Sequence, residues 1–184
     1  MLGWYFLLEL SNGLNPGVDV SRRRFEAVDA RCPANLYSHR TMLNILCRKW
    51  YGSHEQMHEF ARAALNGPHA TLLGELTAHA HIERRLDLSD KDERTAYMHQ
   101  AEVGAELRAA AELSVFRPDY AFPRNPYFTA NMFAMAFGLA GLWPEAVKAF
   151  KATDGVVTGR WIYINGSNPA KAYDAWREFV LKKL

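Results

Sequence analysis

The sequence predicts an all-α protein whose helices come in pairs stacked as an α-solenoid. Three amphipathic runs, over residues 24–33, 55–68 and 102–118, each close on a proline, and a new helical pattern follows within a few residues. Proline lacks the N–H and fixes φ, so its recurrence marks joints between helices. Apolar residues also recur at helical spacing, most cleanly at Met57, Phe60, Ala61, Ala64 and Leu65, which follow the i, i+3, i+4, i+7, i+8 rule. The chain has 184 residues, 49% hydrophobic and 23% charged, so it can bury a core and carries no sign of disorder. One domain over residues 1–184 is the expectation.

The first helix is expected over residues 2–11, closed by Asn12-Gly13 and a turn at Asn15-Pro16-Gly17. A second runs over 21–30, with Phe25, Val28 and Asp29 at helical spacing before Cys32-Pro33. Residues 36–50 carry Leu36, Leu43, Leu46, Cys47 and Trp50 on one stripe, ended by Gly52. Ser53 then stands as an N-cap with Gln56 completing a capping box, and Glu55 lies in the first turn, where the helix dipole favours an anion. Asn66-Gly67-Pro68 stops that helix. The next pair is expected over 71–86 and 91–115, the latter with a stripe of Tyr97, Ala101, Gly104, Arg108, Ala111 and Val115. After a loop over 117–125 come helices at 126–140 and 144–153, with Pro144 at a start and Gly155 past an end. Residues 156–166 are β-branched and aromatic, so an extended segment and a packed loop both remain open. A last helix opens at Asn168-Pro169, carries Tyr173, Trp176, Val180 and Leu184, and reads as a terminal cap.

Charge and cysteines limit the function classes. A net charge of +2 is too small for a nucleic-acid-binding field, and the basic cluster Arg22, Arg23, Arg24 reads as a solvated helix face. The apolar N-terminus carries Glu9, has neither a basic leader nor a small-residue cleavage site, and is too short to span a bilayer. It reads like the middle of a helix, so the natural chain is expected to start upstream. With Cys32 and Cys47 alone and no secretory signal, a reducing cytoplasm is the expectation.

Residues 130–153 resemble a tetratricopeptide repeat, whose second helix carries Ala-x-x-x-Phe, here Ala146 and Phe150. Phe133, Ala134 and Phe137 stand at the matching first-helix positions. The same frame on residues 5–33 matches Leu8, Phe25 and Pro33, and on 41–68 it matches Ala61 and Ala64. Pro33 and Pro68 lie 35 residues apart (68 − 33), close to the roughly 34-residue period of that family. The resemblance implies a right-handed α-α superhelix of about four helix pairs plus a C-terminal capping helix. It also implies that first helices line a concave groove that binds a protein or peptide. Arg40, Asn44 and Arg48, four residues apart, then resemble the residues that clamp a peptide carboxylate in such arrays, with Tyr127 and Asn131 continuing the surface. An ordinary solvated flank is the competing reading of the same residues.

His54-Glu55-Gln56-Met57-His58 matches H-E-x-x-H, in which two imidazoles one turn apart hold zinc and the Glu activates its water. Glu83, followed by Asp87, is the candidate third ligand, an arrangement that resembles the gluzincins. Capping accounts for Ser53, Glu55 and Gln56 without a metal, and Gly52-Ser53 places His54 on the first turn. His39, His69, His79, His81 and His99 share no ligand spacing, and His79 and His81 point to different sides of a helix. The sequence therefore favours a non-enzymatic binding module for a protein or peptide, without cofactor, nucleic acid or membrane. A zinc-dependent hydrolase built on His54, His58 and Glu83 is the alternative.

Overall fold

The computed structural model describes residues 2–14, 16–50, 52–120, 126–165 and 168–184. Among them every regular element is helical. The chain divides into two compact units, Met1–Asp87 and Leu88–Leu184.

The first unit holds α1 (Leu2–Leu14), α2 (Val18–Asp29), α3 (Leu36–Ile45), α4 (His54–Asn66), α5 (Ala70–Leu73) and α6 (Glu75–Asp87). Helix α1 runs through Asn12-Gly13 instead of stopping there; nothing lies near the position of a Cβ on Gly13, so the glycine marks no tight turn. Asn15 lies outside the described residues. Pairing of α1 with α2 and α3, and of α4 with α6, encloses a core of Leu8, Phe25, Met42, Leu43, Ile45, Leu46, Met57, Leu76 and Ala80. Phe25 meets Phe60 edge-on at 5.4 Å between ring centres, a favoured aromatic geometry.

Helix α3 ends at Ile45, earlier than the apolar stripe suggests, and Trp50 is exposed. The cause is Gly52. Its α-carbon lies so close to the Leu46 backbone that a Cβ there would collide with it, and its N–H donates to the Cys47 carbonyl at 3.4 Å. The chain therefore folds back over Leu46 and delivers Ser53 to the start of α4. There the Ser53 hydroxyl accepts from the Gln56 N–H at 3.1 Å, the N-cap that the sequence predicts. Met57 and Ala61 are buried, while Phe60, Ala64 and Leu65 flank them half-buried. The expected helix over 71–86 is two: a short α5, then a fresh start after Gly74.

The second unit holds α7 (Lys91–Met98), α8 (Ala101–Leu113), α9 (Pro126–Leu139), α10 (Trp143–Ala152), a 3-10 turn (Gly159–Trp161), α11 (Ile162–Asn165) and α12 (Pro169–Leu181). The expected single helix over 91–115 breaks at Gln100, whose ψ of 140° is extended. Asp90 caps α7 by accepting from the Asp92 and Glu93 N–H groups. On α8 the inward face is Val103, Gly104, Leu107, Ala110 and Ala111, so Ala101 and Arg108 of the expected stripe point outward. Residues 121–125 of the expected loop, and Gly166, lie outside the described residues.

Helices α9 and α10 form an antiparallel hairpin in which Phe133, Ala134, Phe137, Ala146 and Phe150 are all buried. The ambiguous segment after residue 156 is neither strand nor plain loop: it winds into the 3-10 turn and α11 and buries Trp161 completely. Trp161 stacks on Phe150 at 5.6 Å and meets Tyr173 of α12 edge-on at 5.3 Å. Gly138 lets Trp176 of α12 lie directly on α9, since a Cβ there would strike the indole. Tyr173 and Val180 face inward as expected, whereas Leu184 lies beyond α12 and is exposed. No helix among the described residues is long and apolar enough to cross a membrane.

Candidate functional site

A cleft of about 320 Å³ opens in the first unit where three helix ends converge. The turn after α3 contributes Cys47, Arg48 and Lys49, the first turns of α4 contribute His54 and Met57, and the last turns of α6 contribute Glu83, Leu86 and Asp87. Local sequence explains each placement. The fold-back at Gly52 sets the Cys47–Lys49 turn against the start of α4, and the Ser53 cap fixes His54 at the first helical position. Glu83, Leu86 and Asp87 are three and four residues apart, hence on one side of α6.

The charges are graded from floor to rim. The Glu83 side chain is only 3% exposed, and Lys49 Nζ donates to its Oε2 at 2.6 Å while His79 Nε2 lies 3.5 Å from Oε1. Burial alone would raise the Glu83 pKa, but the hydrogen bonds and charges of His79 and Lys49 outweigh it and hold the group at about 2, so it is an anion. Asp87 Oδ2 faces His54 Nε2 at 2.8 Å and Arg48 Nε at 3.6 Å. Burial, with Arg84 nearby, lowers the His54 pKa against the opposing pull of Asp87. Among the described residues His54 Nδ1 is buried without a hydrogen-bond partner. The Arg48 side chain is 69% exposed and that of Lys49 48%, so an approaching molecule meets cations first and carboxylates behind them. Cys47 packs its Sγ 3.4 Å from Met57 Sδ, part of the apolar wall.

The residues expected to bind together stand in different local settings. Arg40 is buried, and its Nε donates to Glu75 Oε1 at 2.7 Å while its Nη2 donates to Oε2, a bidentate pair closed off from solvent. Its guanidinium also lies 5.5 Å from the Tyr37 ring centre. Asn44 is half-buried on α3, and Arg48 sits beyond the end of that helix, on the turn that forms the rim. Tyr127 and Asn131 belong to the second unit, and Asn131 is wholly buried. The Asn131 amide donates to the carbonyls of Tyr127 at 2.7 Å and Val156 at 2.8 Å, and its oxygen accepts from Trp161 Nε1 at 2.6 Å. Arg40 and Asn131 are thus interior anchors rather than surface contacts, because each has a complementary partner that satisfies it within the fold.

The expected zinc ligands also part company. His54 turns to Asp87, His58 lies against His81, and Glu83 turns to Lys49 and His79. Among the described residues His54, His58 and Glu83 do not form a group able to hold one ion. The reason is positional: at the first turn of α4, His54 faces the end of α6, one turn away from His58.

Sequence reasoning missed Lys49 and Glu75. The available signal for Glu75 was an acid set among Leu72, Leu73 and Leu76, where an unpaired charge would be costly. No family model matches the chain, and no curated protein or solved structure matches it either.

Proposed function

We propose that the chain is a non-enzymatic, cytoplasmic binding module, a tetratricopeptide-like array of helix pairs, and that it takes an acidic or carboxylate-ended peptide segment at the Arg48 rim of the first-unit cleft. One observation carries this reading: Arg48 is largely exposed at the mouth of the cleft, and among the described residues its ion pair is a long one, 3.6 Å to Asp87. A side chain so loosely paired gives up little when it turns to a new partner, because exposed ion pairs contribute about 0–1 kcal/mol. A guanidinium grips a carboxylate through two parallel hydrogen bonds, and Lys49 on the same turn adds charge. Leu86 and Met57 supply apolar wall for the preceding side chain of the peptide. The burial of Phe133, Ala134, Phe137, Ala146 and Phe150 within one helical hairpin supports the repeat-like part of the reading.

The test is a fluorescent peptide library with free C-terminal carboxylates, screened against the wild-type chain and then in amidated form. Charge-assisted hydrogen bonds contribute about 1.5–3 kcal/mol, so amidation, or Arg48→Ala, is expected to weaken the best binder about tenfold or more. Arg40→Lys, inside the fold, is expected to leave selectivity for the carboxylate unchanged. Equal binding of free and amidated peptides, or of the wild type and Arg48→Ala, would remove the reading.

A further inference from the structure

We propose that His58 and His81 form the core of a divalent transition-metal site, zinc-class, in the seam between α4 and α6. The proposal is independent of the peptide-binding reading. It pairs the second histidine of the His54-to-His58 motif with a residue the motif does not contain. Helices α4 and α6 pack against one another, and they bring the two rings to 4.8 Å between centres with an interplanar angle of 54°. Nitrogen atoms of the two rings lie within 4.8 Å of each other.

Three physical points single out this pair. Imidazole nitrogen is the ligand type that suits zinc, copper or nickel, and each ring carries two such atoms. Zinc–nitrogen bonds of about 2.0–2.1 Å in a tetrahedral shell need nitrogens roughly 3.3 Å apart, a spacing of the same order as the 4.8 Å within which the two rings' nitrogens lie. The two ligands are also set differently. His81 is 3% exposed on a stretch of α6 that is buried from Glu75 to Glu83, so its backbone is fixed; His58 is half-buried and leaves a way in for the ion. Remaining coordination positions fall to water or to another donor. His54 lies outside the set, its Nε2 turned to Asp87 at 2.8 Å.

The experiment is calorimetric titration of zinc into tag-free, chelator-treated protein, with thermal unfolding followed in parallel. One zinc per chain is expected, with a rise in Tm that grows with zinc concentration, as binding to the folded state alone requires. His58→Gln, at the half-buried position, is expected to weaken binding about tenfold or more and to abolish the zinc-dependent rise in Tm. His54→Gln is expected to keep both. The His81 ring is followed by imidazole nitrogen NMR in the wild-type chain, so a poorly folding His81 variant is not needed. A shift of the His58 and His81 resonances on adding zinc is expected. Absence of a one-to-one transition, unchanged binding in His58→Gln, or loss in His54→Gln with His81 unshifted would each overturn the site.

Discussion

The interiors of the two units are fastened by different means. In the first, charged groups are drawn inward: Arg40 with Glu75, and Glu83 with Lys49 and His79. In the second, rings do the same work, with Trp161, Phe150 and Tyr173 in mutual contact, and the polar groups inside are neutral: Asn131 under Trp161, and Thr153 sharing a 2.6 Å hydrogen bond with Tyr173. A neutral aromatic cluster is stabilised by area and shape. A buried ion pair is stabilised only while both partners stay charged and in place, because each alone would carry a large desolvation penalty. The difference teaches where each unit is vulnerable: the second to lost volume, the first to lost charge.

The sharpest break is expected at Trp161. Trp161→Ala should destabilise the second unit by about 3–5 kcal/mol, since it empties the centre of the cluster. Asn131→Ala, which leaves the indole N–H and two carbonyls without their partner, should cost about 1–3 kcal/mol. Denaturant unfolding read by Trp fluorescence and by residue-resolved hydrogen exchange would measure both. A loss of under 1 kcal/mol for Trp161→Ala would mean the ring cluster does not hold that unit.

Arg40→Ala in the first unit should also cost about 3–5 kcal/mol, because Glu75 stays buried and loses the bidentate guanidinium. The double variant Arg40→Met with Glu75→Leu tests the electrostatic account more strictly. It should recover most of that loss, since an apolar pair of similar volume removes the desolvation penalty together with the attraction. Hydrogen exchange on α3 and α6 would report it, and a double variant as unstable as the single one would contradict the account.

The smallest and most specific effect is in acid. Glu83 is held at about 2 against an ordinary 4.5, so its folded-state pKa is depressed. The stability it contributes is therefore complete above about pH 4.5 and is lost as the pH falls toward 2. Chemical unfolding across that window should show the first unit weakening, and Glu83→Gln should flatten the slope while lowering stability at neutral pH. The aromatic cluster of the second unit, having no such group, should keep its protection over the same range.

Signals in the chain match the structure where the physics is local. The Ser53 cap, the stripe Met57 to Leu65, the Asn168-Pro169 start and the α9–α10 hairpin follow from hydrogen bonds and spacing within a few residues. Breaks at Gly74 and Gln100, and the early end of α3, escaped notice because the apolar spacing runs on past them. The candidate site was legible in part: Arg48, His54, Glu83 and Asp87 stand at the cleft, but Arg40 and Asn131 do not.

By itself the sequence determined that this protein is helical and where most of its helices begin, since capping, proline and apolar spacing act over one or two turns. Tertiary structure alone decided which polar residues are spent inside. Arg40 meets Glu75, and Asn131 meets Trp161, across separations of 35 and 30 residues, and only the packing of one helix on another sets such distances. The same packing leaves Arg48 outside and sets His58 beside His81, because a side chain's exposure depends on what the rest of its unit places over it.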